Sequence, residues 1–124
     1  AGISGLVPLG TTGETPTLSC EEQEKIIGLA VDEAKGKTSI MVGTGSNSTE
    51  HAVENTRIAK QLGADIALVV TPYYNKPTQE GIFLHFERIT SAVDLPVLIY
   101  NIQGRTASNI TAETMALARQ LGYR

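Results

Sequence analysis

The chain has 124 residues, 41% of them hydrophobic, and a formal net charge of -3. This length and composition fit one globular domain, and we expect residues 1–124 to form a single domain. Acidic and basic residues are mixed rather than blocked, which argues against a nucleic-acid partner. No apolar run approaches the roughly 20 residues that cross a bilayer, and no basic leader is present, so we expect a cytoplasmic protein without a membrane partner.

Four short apolar runs predict β-strands, and each is followed by a stretch with helical spacing of apolar residues. The runs cover residues 3–8, 39–42, 66–71 and 96–100. Ser19 and Glu22 have the spacing of a capping box, which predicts the start of the first helix. The order predicts four consecutive βα units with parallel strands joined by helical crossovers.

Each helical stretch places apolar or small residues on one face, which we expect to be buried. Gly63 is the predicted stop of the second helix, and Gly122 follows the fourth, which is predicted from about Thr111 to Leu121. The predicted buried faces consist of Ile26, Ile27, Ala30, Val31 and Ala34 in the first helix, Ala52, Thr56, Ala59 and Leu62 in the second, and Ile82, Phe86, Ile89 and Val93 in the third.

Two architectures satisfy this repeat, namely part of a (β/α)8 barrel and a small doubly wound sheet. In both, ligands bind at the carboxyl ends of the strands, so functional residues are expected in the loops that follow them. A guanidinium, phenols and a glycine-flanked hydroxyl pair in these loops suit a small, anionic, oxygen-rich substrate. The loops are Gly10-Thr11-Thr12-Gly13-Glu14, Pro72-Tyr73-Tyr74-Asn75-Lys76-Pro77, and Tyr100 with Asn101-Ile102-Gln103-Gly104-Arg105-Thr106.

Each motif has a simpler interpretation when it is taken alone. Gly-Thr-Thr-Gly is also typical of a tight βα turn, and paired tyrosines are also typical of packing or a subunit interface. The segment 44–48 after the second strand is explained by a helix N-cap. His51 and His85 have no second ligand at metal spacing, so we expect no metal site and no cofactor.

Taken together and in this order, the loops resemble the dihydrodipicolinate synthase family of pyruvate-dependent, class I aldolase-like enzymes. That family also contains N-acetylneuraminate lyase, but the paired tyrosines and Arg105 favour the synthase branch. The resemblance implies four units of a (β/α)8 TIM barrel from a lyase of lysine and diaminopimelate biosynthesis. The matching segments are residues 10–14, 43–45, 71–77, 79–81, 100–101 and 105–106.

The resemblance also implies a role for five residues. In the family, pyruvate forms a Schiff base with a strand-borne lysine, and the derived enamine attacks aspartate semialdehyde. Tyr100, Thr11 and Tyr74 would relay protons, with Tyr74 delivered into a neighbouring subunit's site. Thr12 would hold the pyruvate carboxylate, and Arg105 would clamp the semialdehyde carboxylate. A homo-oligomer is implied as well, a tetramer built from tight dimers.

Three departures from the family pattern modify these expectations. The family's Schiff-base lysine lies on the next strand, so we expect residues 1–124 alone to be inactive. Gln103 stands where the family usually has proline, which predicts a less rigid loop around Arg105. His51 stands where lysine-inhibited relatives carry an acidic ligand, which argues against feedback inhibition by lysine. We expect no lysine of this chain in a strand, and these are Lys25, Lys35, Lys37, Lys60 and Lys76.

Four βα units cannot close an eight-stranded barrel. We therefore expect unpaired edges at the first and fourth strands, an exposed inner surface and association in solution. A fragment of a larger enzyme, an engineered partial barrel and a flavodoxin-like rearrangement would each account for the chain. The alternative functions are a non-catalytic module that binds small carboxylates through Thr11, Thr12 and Arg105, and a related keto-acid aldolase.

Overall fold

The computed structural model describes residues 2–34 and 36–121. Four parallel strands form one sheet in the order β1-β2-β3-β4. The strands are β1 (Gly5–Leu6), β2 (Ser39–Gly43), β3 (Ile66–Val70) and β4 (Val97–Tyr100). The helices are α1 (Cys20–Ala34), α2 (Thr49–Gln61), α3 (Gln79–Ala92), α4 (Gln103–Thr106) and α5 (Ala112–Ala118), and 3-10 turns cover Thr11–Gly13, Thr15–Thr17 and Arg119–Leu121.

The order of the strands decides between the two predicted architectures. A doubly wound sheet reverses its strand order at a switch point, whereas each strand of a (β/α)8 barrel lies beside the next one in the sequence. Here the order is sequential, and α1 contacts α2, α2 contacts α3, and α3 contacts α5. The prediction of four consecutive barrel units is confirmed, and the flavodoxin-like alternative is wrong.

The core lies between the sheet and the row of helices. Alternate strand residues face the helices because the side-chain period of a strand is two. The predicted face of α3 is confirmed, and that of α2 is confirmed except that Leu62 is only partly buried, whereas Ile26 of α1 is 36% exposed. Its neighbour Ile27 occupies the buried face, and one residue is about 100° of helix rotation. The buried strand residues are Ile40, Val42, Ala67, Val69 and Val97.

The predicted start of the first helix is confirmed, whereas one predicted loop contains a short helix. In the capping box at α1, the Ser19 amide donates to Glu22 Oε2 at 2.8 Å, and the Glu22 amide donates to Ser19 Oγ at 3.2 Å. The helix α4 was predicted as loop, because four residues are too few to display a helical period. The fourth predicted helix corresponds to α5 and the 3-10 turn after it, and Gly122 lies outside the described residues.

The first strand is shorter than the predicted run of residues 3–8. Only Gly5 and Leu6 pair with β2. Pro8 has no amide hydrogen to donate, although its carbonyl accepts a hydrogen bond from the Gly43 amide at 3.1 Å, and the left-handed conformation of Leu9, with φ of 59°, ends the extended backbone.

The face of the sheet opposite the helices is open in the described residues. Leu98 and Tyr100 of β4 alternate with the core residue Val97, and they are 47% and 43% exposed. β1 and β4 form the two edges of the sheet, as expected. Within residues 2–34 and 36–121, no helix is long and apolar enough to span a bilayer.

Candidate active site

Thr11 and Thr12 lie in a 3-10 turn that follows β1. Two left-handed residues bracket this turn, Leu9 with φ of 59° and Glu14 with φ of 60°. The Gly10 carbonyl accepts hydrogen bonds from the Gly13 amide at 2.8 Å and from Thr15 Oγ1 at 3.0 Å. Both threonine side chains are exposed, so the turn presents its two hydroxyls to solvent.

Two glycines explain the motif Gly43-Thr44-Gly45 at the end of β2. A Cβ on Gly43 would overlap the Leu9 carbonyl, and the Gly43 amide donates to the Pro8 carbonyl at 3.1 Å. A Cβ on Gly45 would lie 2.6 Å from the Val70 nitrogen. Gly43 therefore lets the loop after β1 approach β2 closely, and Gly45 lets the loop after β2 approach the end of β3, which brings neighbouring strand ends together.

The loop after β3 carries Tyr74 in a strained conformation. Tyr74 has φ of 72° and is 89% exposed, and Lys76 has φ of 45°. Two amide side chains tie this loop to the loop after β2. Asn47 Nδ2 donates to the Tyr73 carbonyl at 3.3 Å, and Asn75 Nδ2 donates to the Asn47 carbonyl at 3.2 Å. Ser48 also caps α2, which confirms the simpler interpretation of that segment.

Tyr100 is the last residue of β4 and lies on the open face of the sheet. It pairs in register with Val70, and its carbonyl accepts a hydrogen bond from the Thr71 amide at 3.1 Å. The alternation along β4 fixes the direction of the side chain, because Val97 points into the core and Tyr100 lies three residues later. The phenol is therefore directed toward the face that forms the interior of a closed barrel.

Arg105 lies on α4 and is exposed, whereas its neighbour Thr106 is buried. The turn ends at Ala107, which is left-handed with φ of 56°. Behind Arg105, a group of buried hydroxyls connects α4 to the end of β3. This group comprises Thr71, Thr106 and Ser108. Sequence reasoning gave no role to these three residues, although Thr71 directly follows a strand and Thr106 directly follows the candidate arginine.

All five non-glycine residues with positive φ in the described parts of the chain lie in the loops after β1, β3 and β4. A left-handed conformation costs a non-glycine residue about 1–2 kcal/mol. Strained backbone of this kind is concentrated at functional sites, where the surrounding structure holds it in place. The strain therefore marks the same three loops as the sequence motifs do.

The structure joins some candidate residues and separates others. The Tyr74 amide donates to the Thr106 carbonyl at 3.3 Å, which links the loops that carry Tyr74 and Arg105. Thr11 and Tyr100 follow strands at opposite edges of the sheet, three strand spacings of about 4.8 Å apart. Within residues 2–34 and 36–121, the hydroxyls of Thr11, Tyr74 and Tyr100 form no hydrogen bond with one another.

Other polar features lie away from these loops. An open cavity of about 730 Å³ is at the amino ends of the strands, beside Ser39 and Asp65. His85 is buried between α3 and α2, where its Nδ1 lies 2.9 Å from Thr49 Oγ1, and burial lowers its pKa to about 4. Among the residues that the structure describes, no three His, Cys, Asp or Glu side chains form a group that could hold a metal.

The sequential βα units and the strained loops agree with comparisons to known proteins. Residues 1–120 match the model of the dihydrodipicolinate synthetase family. The chain belongs to this family. Its four strands and helices are the corresponding part of that family's barrel.

Individual members of the dihydrodipicolinate synthetase family are similar over nearly the whole chain. The 4-hydroxy-tetrahydrodipicolinate synthase of Endomicrobium trichonymphae is 56% identical over 115 residues, which are 93% of this chain and 40% of that protein. The crystal structure of the Aquifex aeolicus synthase has a TM-score of 0.92 and 49% identity, and it covers 96% of this chain and 41% of that one.

A third member of the family was solved with a bound molecule. The chloride-inhibited dihydrodipicolinate synthase of Acinetobacter baumannii, complexed with pyruvate, has a TM-score of 0.92 and 48% identity. The match covers 94% of this chain and 40% of that one. The chain thus spans about 40% of the length of the relatives that it matches.

Proposed function

We propose that the complete protein is a 4-hydroxy-tetrahydrodipicolinate synthase, which condenses pyruvate with aspartate semialdehyde. One observation carries the proposal: the family match covers residues 1–120, and these include all three loops in which the motifs and the strained backbone coincide. The hydroxyls, phenols and guanidinium of these loops can donate hydrogen bonds to two small carboxylate substrates.

The chemistry begins with the ε-amine of a lysine and the keto carbon of pyruvate, which form an imine and release water. Loss of a proton from the pyruvate methyl group gives an enamine. The enamine carbon then attacks the aldehyde carbon of the semialdehyde, a carbon–carbon bond forms, and the aldehyde oxygen takes up a proton. The product then cyclises as its amine displaces the lysine. Each proton transfer needs a donor or acceptor beside the reacting carbons.

In this proposal Thr11, Tyr74 and Tyr100 supply those proton transfers. Thr12 holds the pyruvate carboxylate from the 3-10 turn after β1, with amides and hydroxyls of a glycine-flanked turn as its natural donors. Arg105 binds the semialdehyde carboxylate, since its guanidinium can donate two parallel hydrogen bonds to one carboxylate. The exposure of Thr12 and Arg105 leaves both side chains free for a ligand.

The proposal assigns the imine to a lysine outside residues 1–124, on the strand that follows these four βα units in the family. Of the lysines that the structure describes, Lys25 and Lys60 lie on helices, Lys37 lies in a turn and Lys76 lies in a loop. A nucleophilic lysine needs a desolvated position that favours the neutral amine, which strands at a barrel centre provide. Lys35 is outside the described part of the chain.

The arrangement of the complete protein is part of the same proposal. Residues 1–124 form part of one barrel domain, and the protein is a cytoplasmic homo-oligomer with Tyr73 at the tight-dimer interface. The 89% exposure of Tyr74 supports this assembly, because a phenol that projects so far from its own subunit can enter a neighbour's site.

Reductive trapping tests the proposal directly. Borohydride added to the complete protein with pyruvate should reduce the imine and leave one pyruvate-derived group on a single lysine, located by peptide mass spectrometry. Samples without pyruvate or without borohydride are the controls. A complete protein that carries no such adduct, and that does not consume the semialdehyde in the presence of pyruvate, would contradict the assignment.

A further inference from the structure

Thr106 joins the two loops that carry Tyr74 and Arg105. Thr106 is only 3% exposed, and its main-chain carbonyl accepts a hydrogen bond from the Tyr74 amide at 3.3 Å. Because Arg105 is the preceding residue, the backbone of Thr106 is connected to both Tyr74 and Arg105. No other residue of the described chain has this pair of connections.

The Thr106 hydroxyl uses its full hydrogen-bonding capacity. A hydroxyl has one hydrogen to donate and two lone pairs that accept. Oγ1 accepts from the Ser108 amide at 3.2 Å and from Thr71 Oγ1 at 3.5 Å, and it donates to the Ser108 carbonyl at 2.9 Å or the Ile102 carbonyl at 3.1 Å. Loss of this oxygen would leave the buried Ser108 amide without its partner.

Ser108 provides a second connection between the same two loops. Its Oγ donates to the Pro72 carbonyl at 2.7 Å, and the residue is buried. Pro72 and Thr71 lie at the base of the loop that carries Tyr74. The loop after β3 is therefore attached to the loop after β4 by one main-chain hydrogen bond and by two side-chain hydrogen bonds, which involve three buried hydroxyls.

Both loops also contain backbone that needs support. Tyr74 has φ of 72° and is hydrogen-bonded to Thr106, and Ala107, which follows Thr106 in the sequence, has φ of 56°. A left-handed conformation in a residue with a Cβ persists only where neighbouring contacts hold it. The Thr106 carbonyl and the buried hydroxyls support these two residues from the side of α4, and Asn47 and Asn75 tie the Tyr74 loop to the loop after β2.

We propose that Thr106 is a positioning residue that holds two loops in place, the loop that delivers Tyr74 to a neighbouring subunit's site and the loop that carries Arg105 in its own site. The inference rests on the proposed function, since it assigns these two groups to the second substrate and the proton relay. Thr12, which is assigned to pyruvate, lies on the loop after β1 at the other edge of the sheet. Loss of the Thr106 hydroxyl should therefore impair the use of the semialdehyde and not the binding of pyruvate.

The test compares Thr106→Val, which removes the hydroxyl at nearly constant volume, with Thr106→Ser, which keeps it. In the complete protein, T106V should lower kcat/KM for the semialdehyde by about tenfold or more, because small displacements of positioned groups have large kinetic effects. The pyruvate concentration that gives half-maximal borohydride trapping should stay unchanged, because pyruvate binding does not involve these two loops. T106S should restore the wild-type value to within about twofold, since its hydroxyl can form the same hydrogen bonds.

Thr56→Val is the matched control. Thr56 is a fully buried threonine whose hydroxyl pairs with Thr44 Oγ1 at 2.9 Å, but it lies on α2 and has no hydrogen bond to either loop. T56V should keep both the kcat/KM for the semialdehyde and the pyruvate concentration that gives half-maximal trapping. If T106V does not fold, Ser108→Ala carries the same test, because it removes the connection to the Pro72 carbonyl.

Amide hydrogen exchange needs no substrate, so it tests the positioning role independently of the proposed function. In T106V, amide hydrogen exchange of the peptide that contains Tyr74 should become faster, whereas T106S and T56V should keep the wild-type rate. A wild-type protein without synthase activity would contradict the proposed function alone. An active T106V with unchanged semialdehyde kinetics, or with unchanged exchange at Tyr74, would overturn the positioning role.

Discussion

At the scale of single residues, Tyr100 combines two properties that a proton relay needs. Its backbone is fixed, because Thr71 donates to its carbonyl and Val70 is its register partner. Its side chain is only partly covered and is directed to the open face of the sheet. A rigid main chain with an accessible hydroxyl allows proton transfer without a large movement of the strand.

Tyr100→Phe should therefore abolish most of the synthase activity and preserve the fold. Removal of the hydroxyl is expected to lower kcat of the complete protein by about 10²-fold or more, which is the usual contribution of general acid–base catalysis. Steady-state kinetics with both substrates measure this effect. Tyr73→Phe is the matched control and should retain kcat within about twofold. Equal kcat values in the two variants would remove Tyr100 from the relay.

We expect His85 to make the free energy of unfolding depend on pH. Among residues 2–34 and 36–121 its buried Nε2 has no hydrogen-bond partner, Nδ1 lies 2.9 Å from Thr49 Oγ1, and burial lowers the pKa from 6.5 to about 4. Between these two values the unfolded state binds a proton that the folded state does not bind. The free energy of unfolding should therefore fall as the pH decreases from about 6.5 to about 4, by about 3 kcal/mol in total.

Urea unfolding of the complete protein at several pH values measures this slope. His85→Leu should flatten the slope through that range, whatever its effect on stability at neutral pH. His51→Gln, which removes an exposed histidine of α2, should leave the slope in place. A slope that persists in His85→Leu would mean that other groups cause it.

At the scale of elements, close approach between strands and loops depends on glycine. Gly45 has no room for a side chain, because a Cβ there would lie 2.6 Å from the Val70 nitrogen. Gly28 in the middle of α1 is the opposite case, since a Cβ there would meet nothing within 4 Å. Glycine is therefore sterically required at position 45, whereas position 28 has room for a larger residue.

Alanine at these two positions should change stability in opposite directions. Gly45→Ala should lower the free energy of unfolding of the complete protein by about 1–3 kcal/mol, the usual effect of overpacking. Gly28→Ala should raise it by about 0.5–1 kcal/mol, because alanine loses less conformational entropy in a helix. Chemical denaturation of both variants measures the difference. Destabilisation by Gly28→Ala would contradict the prediction, since it would mean that the added methyl group clashes in the complete protein.

The elements that sequence reasoning found are those whose signals are local. The capping box of Ser19 and Glu22 and the buried stripe of α3 follow from spacing alone, and both are confirmed. The helix α4 and the hydroxyl pair of Thr71 and Thr106 were missed, because four residues show no helical period and the pair is 35 residues apart in the sequence. Contacts between loops depend on the tertiary fold, which spacing does not encode.

The roles of the site residues depend on a different kind of information. Thr11, Tyr74, Tyr100, Thr12 and Arg105 were selected because they follow strands and match a family pattern. The structure places them at the carboxyl ends of β1, β3 and β4, as that reasoning requires. Their relative geometry depends on how the sheet curves, so their chemistry remains a prediction.

At the scale of the whole molecule, the helix-facing side of the sheet is packed and the other side is open. Leu98 and Tyr100 are about half exposed on the open side, and β1 and β4 leave unpaired edges in the described sheet. Open edges and exposed apolar faces favour association. An isolated chain of residues 1–124 should therefore form oligomers or aggregates.

Light scattering with size-exclusion chromatography tests this expectation on the isolated segment. Its apparent mass should exceed that of a 13.2 kDa monomer and rise with concentration. Charge introduced on the open face by Leu98→Lys should reduce the association, whereas Leu29→Lys on the exposed side of α1 should change it less. A monodisperse monomer that unfolds cooperatively would contradict the prediction.

The sequential order of the strands also determines how this part of the protein can be assembled during synthesis. β2, β3 and β4 each pair with the strand one βα unit earlier, so the strand with which each of them pairs has already been synthesised. The helix-side core can therefore grow from β1 towards β4 without waiting for distant segments. The open face has no such early partner, and we expect chaperones to recognise the nascent chain there.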